Sequence, residues 1–230
     1  MSKRLHSETD DTPGAMDAEK GQKHNKNDNV STTWKGPDMV WKGPGMDTVY
    51  EVYELGGGCS VLTFSDSSMD ELLPPVIEYL QTKDLLEFGT VGKIFNKEYA
   101  TPRGEGFFSD TQEFYKFSNR KVLSKPLVAS MKALMNHVNA YVPEHPFAGV
   151  MTNAYPKDSD SIGLHSDRDV HSEEIGVLAI SLGLSRKIQF RPTDTKNKQL
   201  QKLDIETKHG QVLVIAVWGF RSSSNMAFSR

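Results

Sequence analysis

After Pro146 the sequence breaks into short apolar stretches separated by polar turns, and this spacing restricts the fold more than any other feature. FAGVMTNAY, GVLAISLG, RKIQFRP, QKLDIET and QVLVIAV read as five strands within about 70 residues. Strands packed this densely leave no room for crossover helices, so an antiparallel sandwich or barrel is expected rather than a parallel sheet. Further upstream the pattern is helical. Leu127, Met131, Leu134, Met135 and Val138 recur at helical spacing, with Ser124 as the expected cap and Pro126 in the first turn. Ser68 with Glu71 resembles a capping box before VIEYL, where Pro74 and Pro75 bound the helix start. SVLTF, behind three glycines, reads as another strand. Helices followed by dense strands predict an α+β fold: a jelly-roll (double-stranded β-helix) core with N-terminal helices.

Residues 1–48 are expected to be a disordered tail, because the polar, charge-mixed sequence lacks apolar periodicity. It ends in a small repeat, WKGPDM at 34–39 and WKGPGM at 41–46. Two turns whose tryptophans cap the domain are the plainer reading, and a partner-binding peptide is the alternative. The domain is expected to span 49–217, leaving 218–230 as an unpatterned tail. A composition 37% hydrophobic and 25% charged suits a globular chain. No apolar run approaches the roughly 18 residues that span a bilayer. With no secretory signal pattern and the single Cys59, a nuclear or cytoplasmic protein without a disulfide framework is expected. The net charge of −3 conceals an asymmetry, because residues 186–230 carry nine Lys/Arg against three Asp/Glu. A polyanionic partner would suit that segment, as would a merely solvated surface.

The chemistry is concentrated in SIGLHSDRDVH, residues 161–171. In an extended segment His165 and Asp167 point the same way, and an imidazole and a carboxylate so placed can take two cis positions on an octahedral ion. Taken alone, a His-x-Asp triplet is most often a set of solvated polar residues. Here Asn153 and Tyr155 precede it on a strand, Asp169 follows, and AISLGLSRKIQFRP comes next.

In this order, N-A-Y, H-S-D-R-D, S-L-G and F-R resemble the AlkB family of Fe(II)/2-oxoglutarate dioxygenases, most closely in style its duplex-DNA repair branch. From these motifs the resemblance extends upstream through ATPRGEGFFSDTQEFYKFSN to about residue 85. It implies His165 and Asp167 as iron ligands, and Asn153 and Tyr155 as hydrogen-bond donors to 2-oxoglutarate. Asp169 would lie in the base pocket, with Tyr115 and Phe117 on its wall, although Phe117 alone would pass for a core aromatic. In IFNKEYATPR, Ile94 and Phe95 would form a wedge that fills the gap left by an extruded base, and Lys97 and Arg103 would meet phosphates. A turn with a buried Ile-Phe pair is the alternative. The implied activity is oxidative dealkylation of alkylated DNA or RNA by a monomer, consuming 2-oxoglutarate and O2 and releasing succinate, CO2 and formaldehyde. The base must leave the stack to be reached.

The family's third ligand, a histidine, should fall near Ser224 or Asn225, and its 2-oxoglutarate-clamping arginine beyond residue 230. Neither His171 nor His209 is placed for the iron, and Arg221 and Arg230 stand in unpatterned sequence. A truncated or frame-shifted reading of a longer gene is the favoured explanation. A short isoform that binds nucleic acid without catalysis is the alternative, and a two-ligand iron site the remaining one. The chain as written is expected to be unstable or inactive alone.

Overall fold

The computed structural model describes residues 23–25, 33–35, 40–42, 51–56, 59–94, 97–117, 120–143, 146–165, 177–193, 195–217 and 226–229. In chain order the elements begin with β1 (Lys23–Asn25), β2 (Thr33–Lys35), β3 (Val40–Lys42), β4 (Glu51–Gly56) and β5 (Cys59–Ser65). A 3-10 turn at Ser67–Met69 leads into α1 (Leu73–Leu80). Then come β6 (Glu87–Phe88), β7 (Val91–Ile94), β8 (Lys97–Ala100), β9 (Gly104–Phe108), β10 (Phe114–Phe117), β11 (Arg120–Lys125) and α2 (Ala129–Asn139). The last part holds β12 (Val150–Ala154), β13 (Val177–Ile180), β14 (Arg186–Pro192), β15 (Leu203–Thr207), β16 (Gln211–Val217) and β17 (Met226–Ser229).

One sheet has the order β1-β4-β5-β16-β13, a second β10-β11-β9-β12 with β6 also paired to β9, and a third β15-β14-β17. The first sheet is buried on both faces, and its sequence shows why. Along β5, Leu62 and Phe64 face Met69, Leu73, Val138 and Tyr141, where the 3-10 turn and both helices pack. The intervening Cys59 and Val61 face Ile188, Phe190, Leu203 and Ile205 of β14 and β15. β16 divides likewise, with Val212 and Val214 toward the helices and Leu213 toward the third sheet. Strands covered on both sides lose the apolar-polar alternation of a half-exposed strand, hence the unbroken runs SVLTF and QVLVIAV. A smaller core joins Val76, Leu127 and Met131 to Leu86 and Phe108, fastening both helices to the second sheet.

The mostly β architecture with two helices agrees with a jelly-roll oxygenase, and all five strands expected after Pro146 are present. The helix starts differ from expectation. Asp66 takes the capping role assigned to Ser68: it accepts from the Ser68 N–H at 2.9 Å and opens the 3-10 turn, while α1 begins later, at the prolines. Ser124 lies in β11, and α2 starts after Val128 without a side-chain cap. Among the described residues α1 precedes the second sheet and α2 follows β11, so both helices come before the strands that follow Pro146. Within the expected tail, β1 pairs with β4, and β2 with β3 in a register that sets Trp34 opposite Trp41. The expected unpatterned end contains β17, paired with β14 so that Phe228 stands opposite Phe190. Without it that edge of β14 would present an unpaired row of backbone groups.

Candidate functional site

The site is assembled where β12 leaves the second sheet. β9 and β12 run antiparallel, with Asn153 opposite Glu105 and Ala154 opposite Gly104. Alternation along β9 sends Gly104 and Gly106 to one face, where the Phe88 ring and Leu86 cover them so closely that a Cβ would lie within 2.6 Å of either. Arg103 and Glu105 occupy the opposite face, together with Asn153. There they form a buried polar network. The Arg103 guanidinium is 6% exposed and lies 2.5 Å from a Glu105 oxygen, itself 1% exposed. Arg103 Nε–H donates to Asn153 Oδ1 at 2.9 Å. Thr90 donates to the other Glu105 oxygen at 3.1 Å and pairs with Thr101 at 2.7 Å. Thus the phosphate contact expected of Arg103 is corrected: a guanidinium this buried and engaged is spent inside the fold.

Beyond β12 the chain turns through residues 155–160, and Arg186, at the start of β14, holds that turn. Its two terminal nitrogens donate to the carbonyls of Lys157 at 2.6 Å, Asp160 at 2.8 Å, Tyr155 at 3.1 Å and Asp158 at 3.4 Å. The guanidinium also lies 5.3 Å from the centre of the Tyr155 ring, within cation–π range. Asp160, 8% exposed, closes the turn by accepting the Lys157 N–H at 2.8 Å. An open depression of about 390 Å³ adjoins it, lined by Asp158, Asp160, Ser161, Ser185, Arg186 and Lys187. The sequence reading missed Arg186 by counting it among the basic surface residues. The signal was its place at the head of RKIQFRP, just after the Gly183 turn.

The turn delivers the chain to His165, which is half-buried and has Nδ1 at 2.8 Å from the Gly163 carbonyl oxygen. A carbonyl can only accept, so Nδ1–H is the donor, and in the neutral imidazole this leaves the lone pair on Nε2. That tautomer suits a ligating imidazole oriented by a backbone acceptor, and in this respect the residue fits a metal ion. Asp167, Asp169, Phe95 and His171 lie outside the described residues. Among the described residues no three His, Cys, Asp or Glu side chains are grouped to hold a metal. His209 is exposed in the β15–β16 turn, its Nδ1 accepting from the Gly183 N–H at 3.0 Å.

Tyr115 lies on β10, half-buried, with its ring 5.6 Å from that of Phe107. Phe117 ends the same strand two residues on, opposite Arg120. Ile94 ends β7 and is paired with Lys97 of β8.

The 2OG-Fe(II) oxygenase superfamily model matches residues 96–218, more than half of the chain. The chain belongs to the 2OG-Fe(II) oxygenase superfamily. None of the curated proteins compared with it matches. As a member of the superfamily it is a dioxygenase by class, using Fe(II), 2-oxoglutarate and O2. The matched span takes in β9, β12 and β14, the strands that carry Glu105, Asn153 and Arg186. Among the described residues of this oxygenase no helix is long and apolar enough to cross a membrane.

Proposed function

We propose that this oxygenase acts as a monomer in oxidative dealkylation of alkylated bases in DNA or RNA, in the manner of the AlkB family. His165 and Asp167 would hold the iron, and Asn153 and Tyr155 would donate to the carboxylates of 2-oxoglutarate. Fe(II), when bound, supplies the oxygen activation that the superfamily couples to 2-oxoglutarate oxidation. The chain's own residues do the positioning. Arg186 fixes the turn that joins the Tyr155 donor to the His165 ligand, so donor and ligand are tied into one short, cross-linked stretch.

One observation carries the nucleic-acid reading. β7 and β8 form a hairpin joined to no other strand among the described residues, with Ile94 and Lys97 paired at its end. Such a hairpin, carrying IFNK at its tip, has the form of a finger that can enter a base stack and occupy the space of an extruded base. Ile94 and Phe95 would be the wedge. Tyr115, Phe117 and Asp169 would receive the base, the rings by stacking and the carboxylate by accepting from an exocyclic amine.

The test is incubation with Fe(II), 2-oxoglutarate and methylated or unmethylated oligonucleotides, reading succinate and formaldehyde. Formaldehyde released only from the methylated strand supports the reading. Retention of oligonucleotide without any turnover would replace it with a nucleic-acid-binding module. Succinate formed equally with and without methylated bases would remove the assigned substrate.

A further inference from the structure

We propose that Arg103 is a positioning residue that sets the orientation of the Asn153 amide and so makes it a donor to 2-oxoglutarate. This rests on the reading of Asn153 as part of the keto-acid site. A carboxamide has two ends of opposite character, an oxygen that accepts and an NH2 that donates. Only the NH2 is useful to an anionic cosubstrate, and an unrestrained asparagine would present either end. Arg103 removes the ambiguity. Its Nε–H can only donate, so the atom 2.9 Å away must be the amide oxygen. The NH2 is then turned away from Arg103. A flipped amide would set donor against donor in a buried place, where an unsatisfied group is expensive.

The rest of the network holds Arg103 in turn. Glu105 lies directly across the ladder from Asn153, meets the guanidinium at 2.5 Å and neutralises its buried charge. Thr90 fixes the second Glu105 oxygen and is itself paired with Thr101. The chain Thr101–Thr90–Glu105–Arg103–Asn153 therefore transmits one fixed orientation from the β7–β8 hairpin region to the amide. An arginine is required because its planar fork serves a carboxylate and an amide oxygen at once, and a lysine ammonium cannot reproduce that geometry.

The experiment measures 2-oxoglutarate binding to the full chain with Mn(II) in place of Fe(II), so that no turnover is needed. Arg103→Lys keeps the charge beside Glu105 and gives up the fork. Its dissociation constant for 2-oxoglutarate is expected to rise roughly tenfold, the factor set by one charged hydrogen bond, while Mn(II) alone binds as before. Because Arg103 acts through Asn153, the same exchange in an Asn153→Ala background should cause no further loss. Unchanged 2-oxoglutarate binding by Arg103→Lys, or losses that simply add, would overturn the role. A chain that binds no 2-oxoglutarate before any substitution would instead overturn the keto-acid reading, and the role with it. Nitrogen-15 spectra of the unsubstituted chain give a second reading that needs no variant to fold. Adding 2-oxoglutarate should move the Asn153 NH2 signals and leave the Arg103 Nε–H in place, and the reverse result would show the amide assigned the wrong way round.

Discussion

Replacing Arg186 with methionine should loosen the 155–160 turn before it affects the rest of the fold. Four carbonyls lose their donor, but they do not count equally. The bonds to Lys157 and Asp158 are exposed, and water can take their place. Those to Asp160 and Tyr155 are partly buried, so removing the donor leaves acceptors that water reaches poorly. At about 1.5 kcal/mol for each charged hydrogen bond, the two give about 3 kcal/mol. The stacking on Tyr155 adds about 0.5 kcal/mol more. Arg186→Lys should recover less than half, because an ammonium lacks the fork that spans both carbonyls. Hydrogen exchange is the suitable assay, since Lys157 and Asp160 N–H bond only within the turn, to Asp160 Oδ2 at 2.8 Å and Lys157 O at 3.0 Å. Both amides should exchange on the order of 100-fold faster in Arg186→Met, the factor for about 3 kcal/mol. Unchanged protection there, with less than about 0.5 kcal/mol lost in urea unfolding, would refute the reasoning.

Asp66 predicts a pH dependence. It is 8% exposed, and burial alone would raise its pKa, but hydrogen bonds from Ser68, Tyr141, His137 and the Ser68 N–H outweigh that and bring it to about 2. A depressed carboxylate stabilises the fold above its ordinary value of 3.8 and stops doing so as pH falls through the lower one. The stability difference between the native chain and Asp66→Asn should therefore shrink by about 2 kcal/mol between pH 4 and pH 2, read by urea titration. Gly56→Ala should cost at least about 2 kcal/mol, because φ is +81° and a Cβ would stand 2.1 Å from the Gln199 carbonyl oxygen; an unchanged melting temperature would contradict this. Leu213→Ala, at 0% exposure between the first and third sheets, should cost about 3 kcal/mol in urea unfolding. Phe95→Ala should weaken binding to a methylated duplex several-fold more than to the matching single strand, which tests the wedge by direct titration.

Sequence legibility followed burial. β14 and β16 coincide with RKIQFRP and QVLVIAV because their apolar residues answer to faces that the fold fills. The core residues of α2 were legible for the same reason, since Met131 and Val138 pack where helical spacing sets them. Caps were misread because several residues compete for one role. Asp66 and Ser68 can both accept from a helix N-terminus, and only the chain path decides between them. The short strands β6 to β11 carry glycines and charges in place of an apolar pattern, so nothing in their periodicity marked them. Arg103 was assigned to a phosphate because the family resemblance of IFNKEYATPR implies that contact. A clue stood in GEGFF: a glutamate between two glycines before a Phe pair suits a strand buried on both faces, and a carboxylate there demands a cationic partner.

The two arginines change how the chain's charge should be read. A count of basic residues from 186 onward suggests a surface made for phosphates, yet Arg186 is spent on four carbonyls. Arg191 is similarly engaged, 2.5 Å from Asp204 and donating to the Phe190 and Leu203 carbonyls. What remains exposed in the described part of that segment is lysine: Lys187, Lys196, Lys198, Lys202 and Lys208. An ammonium meets phosphate as a point charge without directional pairing, so this surface can contribute attraction and salt dependence but little base preference. Under the proposed reading, selectivity for an alkylated base would reside in the hairpin and the pocket, because Arg103 and Arg186 serve the framework that holds Asn153 and Tyr155.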